Sequence, residues 1–339
     1  MLTDETYRGR YPLKKFRILC IRCDHIGDLL VSTPVFHRLR KLYPDAEINV
    51  VTSPAGRLAL ADNPDIDGLF LYNKKSISSW FRLLPELWRH HDMVIGLNVG
   101  SRTIRLLTSL SRGVKKGFLQ TGNLAPWSGD PEAVGHISVS LLRELEAEFG
   151  LPHDENPDIR MRFPVPQELL QKLREEYPAV PGLKRVGFFI GNIAKVAMRW
   201  PEEKFAALAR VLLERNPGIE IYVVVGNADV PLLDAFKGLS DKRLHTFVGN
   251  VSLKHTTAFI GTCDAFVTSS SSPQHLTAIA GVPMTSITNP CSDARWTPRG
   301  PLNFSAISNV PYDVRGVTVQ QVYEALNKSM QGCLAPWKD

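Results

Sequence analysis

Three loops in this 339-residue sequence gather the residue types that chemistry needs. The first is Cys23-Asp24-His25-Ile26-Gly27-Asp28, which holds two carboxylates and an imidazole within five residues. A carboxylate so placed can take the proton of an attacking hydroxyl, or it can cap the helix it opens, and both readings of Asp28 stand. Gly27 permits a tight turn or close backbone approach. The second loop, Gly191–Pro201, contains Asn192, Lys195 and Arg199, two cations that suit a diphosphate or are simply solvated. The third, Thr268-Ser269-Ser270-Ser271-Ser272-Pro273-Gln274-His275, runs small hydroxyls into a helix start. Amides, hydroxyls and the positive helix end make an anion site there, or the serines are an ordinary cap. His275 then points at a ligand or packs. Asp229, in Gly226-Asn227-Ala228-Asp229, could hold a ribose or cap the helix after it. Neither G-x-G-x-x-G nor a Walker loop occurs, so dinucleotide and P-loop readings lose their strongest signals.

Two sets of alternating strands and helices must position these loops. In the first 120 residues, apolar strand-like runs are Arg17–Arg22, Glu47–Thr52, Gly68–Tyr72, Met93–Leu97 and Val114–Phe118. Helical periodicity predicts Asp28–Leu42, a short helix after Pro54, Ser76–Arg89, Ser101–Leu110 and His136–Phe149. Six prolines between Gly150 and Gly182, around one helical segment at Gln167–Tyr177, mark a connection. The alternation then restarts, with strands at Arg185–Ile190, Ile219–Val225, Leu244–Val248, Ala265–Thr268 and Met284–Ile287. Helices are expected at Pro201–Arg215, Asp229–Leu239, Leu253–Gly261, Pro273–Ala280 and Val319–Met330, the last after an irregular stretch. Short apolar strands alternating with helices imply parallel α/β sheets covered on both faces. Ligands bind such doubly wound sheets beyond the carboxyl ends of the strands, where the three loops lie. The expected division is an N-terminal domain over 1–165, a linker over 166–182 and a C-terminal domain over 183–339, with the last helix returning to the N-terminal domain.

Composition agrees with two globular domains: 44% hydrophobic residues, 22% charged, net charge +6 and a pI of about 9.0. The polar N-terminus has no signal-peptide core, and no apolar run reaches the roughly 20 residues of a bilayer span. Five cysteines spread over a long chain favour a reducing cytoplasm. Cys20 and Cys23 form a C-x-x-C, but Cys20 lies in a strand and no second ligand pair follows, so a structural role is expected. From Met93 to Gly129 there is no acidic residue, while Arg102, Arg105, Arg112, Lys115 and Lys116 all occur. That suggests an anionic acceptor or membrane surface rather than nucleic acid.

Taken together, the blocks ILCIRCDHIGDLLVSTPVFHRLRKLYPDAEINVV, NPDIDGLFLYN, RWPEEKFAALA and SSSSPQHLTAIAGVPMTSITNP, followed by Arg295-Trp296, resemble glycosyltransferase family 9, the lipopolysaccharide heptosyltransferases. The resemblance implies a GT-B fold, two Rossmann-like doubly wound domains facing a central cleft. It also implies an inverting, metal-independent sugar transferase at the inner face of the cytoplasmic membrane. The donor would be a nucleotide sugar, ADP-linked heptose in the family's usual form, and the acceptor a lipid-linked oligosaccharide; no other cofactor is implied. By position, Asp28 matches the family's catalytic aspartate, with Asp24, His25 and Gly27 in support. Asn192, Lys195, Arg199, Asp229, Ser270, Ser271, Ser272 and His275 fall on the donor side; Arg102, Arg105, Lys115 and Lys116 are candidates for the acceptor. Three departures lie on the donor side: Met198 where a lysine is usual, Ser270-Ser271-Ser272 for Asp-Thr-Gly, and Thr288-Asn289-Pro290 for Phe-Gly-Pro. They keep alive a rival reading, a catalytically weak or inactive GT-B protein that binds a nucleotide sugar or glycan.

Overall fold

The computed structural model describes residues 15–119, 135–192, 195–249 and 252–337. The N-terminal segment, the end of the acid-free interval and Ile193-Ala194 of the second loop lie outside them. Two units emerge from the contacts, one formed by residues up to 119 with Ser138–Arg162, the other by 135–137 with Phe163 onward.

The first unit is built on five parallel strands: β1 (Arg17–Ile21), β2 (Glu47–Thr52), β3 (Gly68–Leu71), β4 (His91–Gly96) and β5 (Gly113–Phe118), in the order β3-β2-β1-β4-β5. Ile18 lies between Ile48 and Met93 in register, and Ile18 to Ile21 are wholly buried, as a central strand covered on both faces requires. Helices α1 (Ile26–Leu30), α2 (Thr33–Leu42), α3 (Pro54–Leu60), α4 (Ile77–Trp88), α5 (Arg102–Leu110) and α6 (Ile137–Phe149) connect or cover it. The single helix expected over Asp28–Leu42 is broken into α1 and α2. Pro34 has no N–H for the Leu30 carbonyl, and the Thr33 hydroxyl donates to that carbonyl at 2.7 Å instead. The Ser32 hydroxyl donates to Asp28 O at 2.7 Å, so the break fixes the backbone of Asp28 itself.

The second unit has six parallel strands: β6 (Lys184–Phe189), β7 (Ile219–Val225), β8 (Leu244–Val248), β9 (Ala265–Ser269), β10 (Met284–Thr288) and β11 (Asn303–Ile307), in the order β11-β10-β9-β6-β7-β8. Its helices are α7 (Gln167–Glu176), α8 (Glu202–Arg215), α9 (Leu253–Ile260), α10 (Ser272–Ala280), α11 (Pro290–Trp296) and α12 (Val319–Ser329). Its core gathers Val186, Phe188, Trp200, Phe205, Leu208 and Val223. Strand β11 and helix α11 occupy the stretch read as irregular. Asn227–Phe236 winds as a 3-10 helix rather than the expected α-helix, because Pro231 lacks the donor an α-helix needs there.

The proline-rich connection is divided between the units, 150–162 with the first and Phe163 onward with the second. Within the second, α7 packs on α9, and Tyr177 sets its ring edge-on to Phe259 at 5.2 Å. Arg185 then donates to the Tyr177 and Pro178 carbonyls and fixes the chain after α7. Helix α12 packs on β10, β11 and α8 within the second unit. In each sheet the strand order reverses beside the first strand, between β1 and β4 and between β6 and β9. The three chemical loops follow β1, β6 and β9, at these switch points.

Candidate functional site

In the first unit, the strand β1 ends in a cation. Arg22 is buried, with Nε 3.0 Å from Asp24 Oδ2 and a terminal nitrogen 3.4 Å from Asp28 Oδ1; it also donates to the Leu97 carbonyl at the end of β4. Burial lowers this guanidinium from its ordinary value, and Asp24 and Asp28 oppose that effect. Asp24 accepts a second bond from Asn98 Nδ2 at 2.9 Å, so the loops after β1 and β4 are tied together. Asp28 Oδ2 accepts from the His25 amide at 3.2 Å, within a capping box, and its side chain remains 23% exposed. Cap and candidate base are therefore the same carboxylate. The groups that hold it still leave part of it open to solvent, and His25, largely exposed, lies 3.6 Å from it. Cys20 is buried and burial raises its thiol; Cys23 is pushed up to about 12 by the same cause. Burial of this kind disfavours the thiolate that redox or metal chemistry would use.

Beside this loop a cavity of about 240 Å³ opens on the same sheet edge, lined by Cys23, Tyr72, Asn73, Lys74, Lys75 and Ser101 among others. Sequence reasoning missed Arg22, Asn98 and this Asn73-Lys74-Lys75 wall. A charged residue closing an apolar strand, and two adjacent lysines directly after another, were the signals. Of the acceptor candidates, Arg102 and Arg105 are exposed on the first turn of α5. Lys115 and Lys116 are committed elsewhere. Lys115 donates to the carbonyl of Phe149, the last residue of α6, and Lys116 to Ser109 O near the end of α5, where helix ends favour a cation. Both remain exposed while making these helix-end contacts.

In the second unit, Trp200 joins two of the loops. Its amide donates to Ser269 Oγ at 3.0 Å and its indole to Val317 O at 2.8 Å. Asn192 adopts φ 94°, a left-handed conformation that asparagine tolerates, and its amide donates to Asp229 Oδ1 at 3.0 Å. Gly191 is required beside it, since a Cβ there would lie 2.4 Å from Asp229 Oδ2. Asp229 is buried and braces this turn through the Asn192 amide. Arg199 is ion-paired with Glu202, so its charge is partly neutralised, whereas Lys195 is exposed. Met198, at the departure from the usual lysine, accepts from Asn289 Nδ2 at 3.6 Å. Asn289 in turn caps α11 through the Ser292 amide at 3.1 Å, which explains why Thr288-Asn289-Pro290 stands in that block.

Helix α10 begins at the three half-buried serines Ser270, Ser271 and Ser272. The side chain of its N-cap, Ser271, accepts no bond from the first turn, unlike those of the N-caps Ser53, Ser101, Ser252 and Thr318. The Ser271 hydroxyl bonds Ser269 O instead. An uncapped helix start lined with hydroxyls is an arrangement that suits an anion. His275 is buried, and burial with neighbouring His136 lowers it to about 3. It is neutral at neutral pH and offers no charge to a phosphate. His136 is itself lowered to about 4 by burial, Arg299 and Arg295. Among the described residues no group of three or more His, Cys, Asp or Glu could hold a metal ion, and no helix is long and apolar enough to cross a membrane.

Residues 89–314 match the family model of glycosyltransferase family 9 (heptosyltransferase). Lipopolysaccharide heptosyltransferase 3 of Escherichia coli (strain K12) is 25% identical over 294 residues, covering 80% of this chain and 82% of the relative. Among solved structures, a glycosyl transferase family 9 protein from Veillonella parvula aligns with a TM-score of 0.77 at 20% identity, covering 95% of this chain and 99% of that one. The E. coli ADP-heptose lps heptosyltransferase II aligns with a TM-score of 0.72 at 18% identity, covering 93% and 99%.

Proposed function

The chain belongs to glycosyltransferase family 9, the heptosyltransferases, and from that premise we propose that it moves heptose from ADP-heptose to a lipopolysaccharide core or related glycan. The observation that carries the reading is Asp28, a carboxylate anchored by the His25 amide and Arg22 at the switch point of a parallel sheet, yet still partly open. In the proposed reaction, Asp28 accepts the proton of an acceptor hydroxyl as that oxygen attacks the anomeric carbon. The bond to the nucleotide diphosphate breaks on the opposite side, which inverts the configuration. Lys195, the Ser270–Ser272 helix start and the part of the Arg199 charge that Glu202 leaves available stabilise the departing diphosphate. This positive charge comes from the chain, and the reading is metal-independent. The Asn73-Lys74-Lys75 wall, with Arg102 and Arg105, supplies cations for an anionic, lipid-linked acceptor, consistent with work at the inner face of the cytoplasmic membrane.

The rival reading, a non-catalytic binder, draws on Met198 and the missing acidic residue at Ser270. It has less support, because the relatives are named as transferases and the base position is filled by a held carboxylate. Donor identity is tested by thermal shift against ADP-, UDP- and GDP-linked sugars, since a donor that binds the folded chain raises its melting temperature by mass action. ADP-heptose is expected to give the largest shift, and a larger shift with a UDP- or GDP-sugar would overturn the donor assignment. Release of ADP that depends on an added core-glycan acceptor then tests the transfer. Its absence, with donor binding intact, would favour the rival.

A further inference from the structure

The outer face of α4 carries apolar residues where a helix lying on a sheet normally carries polar ones. Ile77 is 77% exposed, Phe81 69% and Trp88 62%. At roughly 100° per residue, Ile77, Phe81, Leu84 and Trp88 fall within an arc of about 60°, while Leu83 and Leu87 turn inward to the core. Helix α5, which packs beside α4, adds exposed Leu106 and Leu110, and Val114 on the edge strand β5 is exposed as well. Exposed apolar side chains usually occur singly; here they run across two adjacent helices.

The exposed charged residues on α4 and α5 are all cations. Arg82 is exposed on α4, Arg102 and Arg105 on α5, and Arg112 just after it. The last three lie in the acid-free interval from Met93 to Gly129. Arg102 and Arg105 occupy the first turn of α5, where the positive helix end disfavours a cation and an external anion would relieve the conflict. Apolar side chains flanked by cations are the two signals that together hold a protein at an anionic bilayer.

We propose that the α4–α5 face docks this protein on an anionic lipid bilayer, with Ile77, Phe81 and Trp88 entering the headgroup boundary and the arginines meeting lipid phosphates. The inference rests on the reading of a lipid-linked acceptor and names the surface that reading needs. Both helices start at the carboxyl edge of the sheet that carries Asp28, so a docked face keeps that edge close to the layer in which such an acceptor is anchored.

The test sediments the full chain with vesicles of phosphatidylglycerol and phosphatidylethanolamine, and with vesicles of phosphatidylcholine alone. The wild-type chain is expected to bind the anionic vesicles and not the neutral ones. Phe81→Ser with Trp88→Ser should weaken that binding about tenfold or more. Arg82→Gln with Arg112→Gln should reduce both the binding and its dependence on salt. Every variant should keep its melting temperature and its turnover of a delipidated, water-soluble acceptor. Absence of wild-type binding to anionic vesicles, or binding that the aromatic double variant retains, would overturn the proposal. So would a dimer in solution that this variant abolishes, because a second copy would then cover the face. Failure of docking leaves turnover of the soluble acceptor intact, whereas failure of the transferase reading removes that turnover and leaves vesicle binding readable.

Discussion

Arg22 and Asp28 form an ion pair of unequal exposure, 3.4 Å from the guanidinium to Oδ1, in which the cation is buried and the carboxylate is 23% open. Desolvation holds Arg22 to its partners, and Asp28 is oriented by a group that substrate cannot displace. Arg22→Met leaves Asp24 and Asp28 without their shared cation. Stability should fall by about 3 kcal/mol, the low end of the range for breaking a buried pair, since both carboxylates keep some solvent. Arg22→Lys should lose less. Thermal melts of the two variants check the order, and equal melting temperatures for Arg22→Met and wild type would contradict it.

Asp28→Asn keeps the size of the side chain and removes its basicity. Turnover should drop about 10²–10⁴-fold. Affinity for the donor, measured by calorimetry, should stay within about twofold, because the donor residues lie on other loops. A variant that retained most of its transfer rate would exclude Asp28 as the base.

His136 and His275 make the second unit sensitive to acid. Burial, with Arg299 and Arg295, lowers His136 to about 4, and burial, with His136, lowers His275 to about 3. Both folded values lie below the ordinary 6.5, so the unfolded chain takes up protons first. Their contribution is complete above about pH 6.5 and is lost as the pH falls toward the folded values. Between pH 6.5 and 5 the loss should be roughly 1–2 kcal/mol per histidine. Melting curves across that range measure it, and His136→Gln should flatten the slope; a melting temperature independent of pH down to 5 would refute the assignment.

Gly191→Ala places a Cβ 2.4 Å from Asp229 Oδ2 and forces the turn at Asn192 to shift. Donor KM should rise several-fold, by an amount on the order of tenfold, with a smaller change in kcat. Steady-state kinetics with ADP-heptose at saturating acceptor would show this split, and an unchanged KM would dissociate the turn from donor binding.

Metal independence has a direct check. After dialysis against a chelator, the transfer rate should equal that of untreated protein, and added magnesium or iron should not raise it. A rate that collapses on chelation and returns with a metal would replace the charge scheme built on Lys195 and the α10 start.

The alternation of β-branched strands and amphipathic helices was legible because each strand is a short apolar run; Ile219–Val225 and Leu244–Val248 match the strands residue for residue. Strand β11 was not, since NFSAI is an edge strand with most of its residues half-exposed and carries little apolar signal. The break between α1 and α2 depends on two hydroxyls and Pro34 acting together, which periodicity does not register. Asp28 could be picked out as a candidate from its spacing alone. Asp229, His275 and Lys115 could not be judged that way, because the Asn192 amide, His136 and the Phe149 carbonyl come to them from distant parts of the chain. Residue type announces a charge, and only the fold says what already occupies it.

The Trp200 amide on Ser269 joins the loop after β6 to the end of β9. Two segments that are remote in sequence therefore share one rigid anchor before any nucleotide arrives. Little backbone freedom remains to be lost at Trp200 and Ser269 on association, so these two residues should superimpose closely between free and ligand-bound forms.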